Sequence, residues 1–106
     1  MKHNSLEISK SFKKDEPINA TLTVEDELSF INALGIANEI QKHLKEFNLL
    51  NINATIAHID LTGIQLLYSI KKSCENDQKK VNFNIKMGQE QKDLIIKAGF
   101  NDLFES

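Results

Sequence analysis

The segment Leu49–Ile59 followed by Asp60-Leu61-Thr62-Gly63 constrains this chain more than any other. Ile52, Ala54, Ile56 and Ile59 lie among small and polar residues, the signature of a central strand. The run stops at a short polar turn, and a new apolar series begins at once. Gly63, Leu67, Ile70 and Cys74 recur on one helical face, flanked by Ile64 and Leu66. This predicts a helix opening at Thr62-Gly63 and running to about Glu75, closed by Asn76-Asp77-Gln78. A strand feeding a helix through so short a turn is one half of a βαβ unit, and it places a carboxylate, a hydroxyl and a glycine at the mouth of the helix.

The rest of the chain repeats the alternation. Leu6-Glu7-Ile8-Ser9 reads as a strand opening after a loose stretch at 1–5, and Lys13-Lys14-Asp15-Glu16-Pro17 as a turn. Ala20–Val24 alternates with β-branched residues, Glu25-Asp26-Glu27 interrupts it, and Leu28–Ile31 resumes an extended pattern. Asn32 is placed as an N-cap, since Ala33, Ala37, Ile40, Leu44 and Phe47 follow at helical spacing; that helix is expected to end near Asn48. Val81–Ile85 alternates as a strand. Gln89–Ala98 reads as a short helix with Leu94, Ile95 and Ala98 inward, Gly99 at its C′ position, and an apolar tail of Phe100, Leu103 and Phe104 that packs back. Strands alternating with helices imply right-handed crossovers. The expected fold class is α/β: a mixed, mostly parallel sheet of four to five strands with three to four helices.

A length of 106 residues supports one domain spanning the chain. The net charge of −2 argues against a nucleic-acid partner, which usually meets a basic face. All 13 basic residues are Lys, so the chain lacks the guanidinium fork favoured for holding phosphates, and a nucleotide-processing enzyme is disfavoured. No signal peptide follows the N-terminus and no apolar run approaches the roughly 20 residues that span a bilayer, which points to the cytoplasm without membrane insertion. Asn19-Ala20-Thr21 and Asn53-Ala54-Thr55 are then chance matches to the glycosylation triplet. Cys74 excludes an internal disulfide by being single, and reads as a small buried hydrophobe.

No catalytic constellation emerges. His3, His43 and His58 have no metal-ligand spacing, the glycines at 35, 63, 88 and 99 stand alone, and no nucleophile elbow is present. Glu25-Asp26-Glu27 reads as a solvated turn in preference to a metal site. The expectation is a non-enzyme without metal or cofactor. Asp60–Gly63 supports two readings. In the bland one, Thr62 caps the following helix, worth about 1 kcal/mol, Asp60 adds favourable charge and Gly63 permits close approach. In the functional one, Thr62 is a modification site whose phosphate adds about −1.5 to −2 charges to an exposed turn.

The string Ile59-Asp60-Leu61-Thr62-Gly63-Ile64-Gln65-Leu66-Leu67 resembles the signature loop and helix of STAS domains, the domains of sulfate transporters and anti-sigma-factor antagonists. Leu28–Ala33 resembles the family's strand into its first helix, and Lys97–Phe104 its closing segment, so roughly residues 20–104 are covered. The resemblance implies helices packed largely on one side of a mixed sheet. It implies Thr62 as the residue phosphorylated by a serine/threonine kinase-type anti-sigma factor or sensor kinase and restored by a phosphatase. It further implies a partner surface formed by Asp60, Leu61, Thr62, Gly63 and Ile64, engaged while Thr62 is unphosphorylated. The sequence departs from the family where Leu61 replaces a small, usually hydroxylated residue and where Thr stands for the commoner Ser at 62. Those departures lean towards the wider set of small STAS proteins, including cytoplasmic subunits of lipid-transport ABC complexes, in which the surface would be constitutive.

Overall fold

A computed structural model describes residues 4–9 and 18–100. The expected turn at 13–17 and the tail residues Leu103 and Phe104 lie outside them. The elements run β1 (Asn4–Ser9), β2 (Asn19–Leu28), α1 (Ala33–His43), a short 3-10 turn (Leu44–Glu46), β3 (Leu49–Ile59), α2 (Leu61–Asn76), β4 (Lys80–Met87) and α3 (Gln89–Lys97). One sheet carries the strands in the order β1-β2-β3-β4. β1 is antiparallel to β2, and β2–β3 and β3–β4 are parallel. The architecture is the expected mixed, mostly parallel α/β sheet.

The sheet is apolar on one side only, because every strand alternates in phase with its neighbours. Register aligns Leu6 with Leu22, Leu22 with Ile52, and Ile52 with Phe83, and the next rung aligns Val24 with Ala54 and Ile85. This face meets Ala33, Ile36 and Ile40 of α1, Leu44 and Phe47 beyond it, and Leu66, Leu67, Ile70 and Cys74 of α2. Alternate residues form the other face, where Asn51 accepts from Asn82 and Asn53 accepts from Asn84 across the parallel pair. Such a one-sided sheet needs helices on one layer only, and its strands alternate where a doubly covered parallel sheet would show unbroken apolar runs.

Four boundaries differ from the sequence reading. Asn4 and Ser5, expected to be loose, belong to β1 and pair with Val24 and Thr23. Glu25-Asp26-Glu27 does not break the chain: β2 runs unbroken through it. Register slips between Asp26 and Glu27, opposite Ile56 and His58, so β3 carries one more residue across the step. This is a bulge; Asp26 enters the left-handed region at φ 74°, which a short polar side chain tolerates. The carbonyl of the extra residue, Ala57, accepts a hydrogen bond from Gln91 of α3 at 2.9 Å. Leu28–Ile31, expected to extend, leaves the sheet after Leu28 and turns. α1 ends at His43, and one 3-10 turn carries the chain on to Phe47.

α3 closes as expected. Gly99 holds φ 86°, its N–H donates to Ile96, and the Phe100 N–H donates to Ile95. That pair of bonds is the Schellman stop, which glycine fills at least cost. Ile95 is the buried residue of α3, whereas Leu94 is more exposed than expected. Phe100 folds back edge-on against Tyr68 with ring centroids 5.3 Å apart.

The one-sided core sets a clear contrast. Leu50→Ala, at a fully buried position, is expected to cost about 2–5 kcal/mol by denaturant unfolding. Asn53→Ala on the open face is expected to stay within about 0.5 kcal/mol.

Candidate functional site

Parallel pairing brings the C-terminal ends of β2 and β3 together, with Leu28 opposite Ile59. α1 and α2 therefore start from the same edge of the sheet, the edge at which open α/β sheets present their functional loops. Two turns meet there: 29–32 after β2, and Asp60 after β3.

Asp60 is the N-cap of α2, with extended backbone at φ −120° and ψ −179°. Its Oδ1 accepts from the Gly63 N–H at 2.9 Å, one turn into the helix. Its Oδ2 accepts from the Phe30 N–H of the neighbouring turn at 3.0 Å. Its own N–H donates to the Leu28 carbonyl at 3.3 Å. The reading of Thr62 as the cap is therefore corrected: Asp60 caps, the helix begins at Leu61, and Thr62 lies exposed in its first turn. The physical reason is geometric. A capping carboxylate reaches an amide three residues on, and the residue standing three before Gly63 is Asp60.

Gly63 is buried against the end of β2. A Cβ built on it would stand 2.2 Å from the Leu28 carbonyl oxygen, a contact that only backbone movement could relieve. Close approach is thus a requirement here, as expected of this glycine. Ile64 is fully buried. Its place in the expected partner surface, and that of Gly63, is accordingly corrected to support from beneath: the apolar face of α2 turns both into the core. Leu61, Thr62 and half-buried Asp60 remain at the surface.

The neighbouring turn is held as firmly. Asn32 occupies the N-cap position of α1 but makes no cap bond with its side chain. Its Oδ1 accepts instead from the Ser29 N–H at 2.9 Å, and its Nδ2 donates to the Glu27 carbonyl at 2.7 Å and to Asn4 Oδ1 at 3.4 Å. Buried Ser29 donates its hydroxyl to the Glu27 carboxylate and accepts from the Ile31 N–H at 3.2 Å. This frame presents Phe30, Ile31 and Leu34 at 70%, 61% and 71% exposure, with Leu61 at 52% on the adjoining helix. Large apolar side chains exposed this far make this end of the domain its candidate interaction surface. Sequence periodicity could not find them, because Phe30 and Ile31 looked like strand residues; three apolar side chains at 30, 31 and 34 around a cap position were the available signal.

Among the described residues, no group of three or more His, Cys, Asp and Glu side chains could hold a metal, and no helix is long and apolar enough to cross a membrane. Burial pushes the Cys74 thiol above its usual pKa, which makes it a poor nucleophile.

No protein-family model matches the sequence, and no curated protein matches it. A solved structure does: the anti-sigma factor antagonist SpoIIAA in its unphosphorylated form, at 10% sequence identity, with a TM-score of 0.65 over 93% of this chain and 84% of that one. The chain has the STAS fold.

Two measurements check this frame. Asp60→Ala is expected to cost about 1–2 kcal/mol through the lost cap, whereas Thr62→Ala stays within about 0.5 kcal/mol; equal losses would return the cap to Thr62. Cys74 is expected to resist a disulfide reagent in the native protein and to react at once after denaturation.

Proposed function

We propose that this chain is a phosphorylation-regulated protein–protein interaction module of the anti-sigma-factor-antagonist kind, acting in the cytoplasm, with Thr62 as the phosphate acceptor. The observation that carries this reading is the surroundings of Thr62. It is an exposed hydroxyl in the first turn of α2, next to exposed Leu61 and beside the turn bearing Phe30 and Ile31. Unmodified, this end of the molecule offers a partner an apolar contact area with a small neutral centre. The partner in this reading is a serine/threonine kinase-type anti-sigma factor or a sensor kinase, and a phosphatase resets the cycle.

Transfer of the terminal phosphoryl group of ATP to Thr62 Oγ1 changes the surface in one step. About −1.5 to −2 charges arrive two residues from the Asp60 carboxylate and next to exposed Leu61. The free domain bears the charge because water reaches it and the N-terminus of α2 attracts anions. In the complex the phosphate would have to be desolvated against apolar surface, which is costly without a paired cation. Phosphorylation therefore opposes binding while leaving the fold intact.

Phosphopeptide mapping of the protein from its own cells is expected to find phosphate on Thr62 that changes with growth and stress. Thr62→Asp is expected to weaken partner binding at least about tenfold, equivalent to ~1.4 kcal/mol, and Thr62→Ala to retain it. Phe30→Ser and Leu61→Ser should weaken binding with stability changed by about 0.5 kcal/mol or less. Unmodified Thr62 under every condition, with both Thr62 variants binding like wild type, would refute the switch and leave a constitutive docking surface, as in a transporter subunit.

A further inference from the structure

β1 is a terminal strand of the sheet, so half of its backbone N–H and C=O groups turn away from β2 with no strand beyond them among the described residues. Between this strand and α1 lies a cleft of about 210 Å³. Leu6, Leu22 and Ile36 form its apolar floor, Gly35 its helical wall, and Asn4 and Glu39 part of its rim.

Gly35 is the telling residue. It sits in the first turn of α1, has no positive φ, and a Cβ placed on it would meet no heavy atom within 4 Å. Neither conformation nor packing demands glycine there, and in helices alanine is preferred by up to about 1 kcal/mol. What the missing side chain preserves is the space of the cleft. Glu39 adds a charge preference: among the described residues it pairs with His43 Nε2 at 3.7 Å, which is charged only when protonated.

We propose that this cleft is a peptide groove, separate from the Thr62 surface. An extended segment of a partner protein adds to the free edge of β1 as a further strand, seats one aliphatic side chain over Gly35, and sets a lysine or arginine against Glu39. Main-chain pairing supplies the affinity, and the pocket with its acidic rim supplies the selectivity. The occupant is thus an apolar–basic extended peptide. An acidic peptide is disfavoured by Glu39, and a helix cannot use the strand edge.

The test is an NMR titration of the full, ¹⁵N-labelled chain with the blocked peptide acetyl-Lys-Thr-Val-Thr-Lys-Thr-amide, whose valine and lysines share one face of an extended strand, and with a control in which the valine is aspartate. The expected result is saturable shifts at millimolar peptide in the amides of residues 4–8 and 34–39, and none with the control. Gly35→Leu, which fills the cleft from an open position, should reduce affinity at least tenfold while the fold and the resonances around Thr62 persist. Glu39→Lys should also weaken binding, and Gly35→Ala should raise thermal stability and weaken it less. Absence of shifts, shifts confined to residues 30–34 and 61–62, or unchanged affinity in Gly35→Leu would each overturn the proposal. So would β1 amides already protected from exchange on their outer edge in the free protein, since the chain itself would then fill the groove. None of these outcomes depends on phosphorylation of Thr62.

Discussion

The Asp60 carboxylate holds this molecule's working end together. One oxygen stops α2 from fraying at Gly63, and the other ties the turn after β2 to the start of that helix. Its backbone N–H reaches Leu28 as well, so the end of β3 is fastened to the end of β2 by main chain and side chain together. Gly63 completes the joint, because only a residue without Cβ lets α2 begin against the Leu28 carbonyl. A carboxylate satisfied by two backbone donors from separate segments makes a stiffer joint than a cap serving its own helix alone, since each bond orients the group for the other.

The one-sided sheet explains why that joint matters. With α1 and α2 on one layer, the open face is left to polar residues such as Asn51, Asn53, Glu25 and Lys86, and the large exposed apolar side chains at 30, 31, 34 and 61 lie off the sheet. They stand where α1 and α2 start. Phe30, Ile31, Leu34 and Leu61 gain nothing for the fold by being apolar, and each exposes more than half of its surface. Rigid presentation reduces the ordering entropy that a partner must overcome, and the bonds around Ser29, Asn32 and Asp60 provide it.

Periodicity carried much of the architecture. The strand at 49–59, the buried face of α2, the alternation of β4 and the glycine stop after α3 all follow from patterns local to the chain. What stayed hidden was set by pairing between distant segments. The bulge opposite Asp26 exists because two strands of unequal local length must stay in register, and a lone β2 sequence shows only an acidic interruption. Asn32 stood at the right cap position, yet its side chain serves Ser29 and Glu27 behind it, because the turn needed closing more than the helix needed a cap. At the site, the residues Asp60 to Gly63 were legible as a group, but their roles were not. Choosing Asp60 over Thr62 as the cap required knowing where the helix begins, and placing Ile64 inside required knowing which side of α2 faces the sheet.

That exchange of roles bears on regulation. Were Thr62 the cap, its oxygen would be committed to an amide, and modification would remove the bond that starts α2. With Asp60 capping, the hydroxyl at 62 is released from structural duty. In the proposed switch a phosphate there would act on whatever approaches the surface, while the helix keeps its Asp60 cap and the turn at 29–32 keeps its tie. The capping carboxylate and the hydroxyl proposed as the phosphate acceptor are separated by one residue, Leu61, whose side chain is exposed. Under the proposed switch, modification at 62 would change affinity for a partner by a large factor and the domain's own stability by a small one, the combination that a reversible switch in a small protein requires.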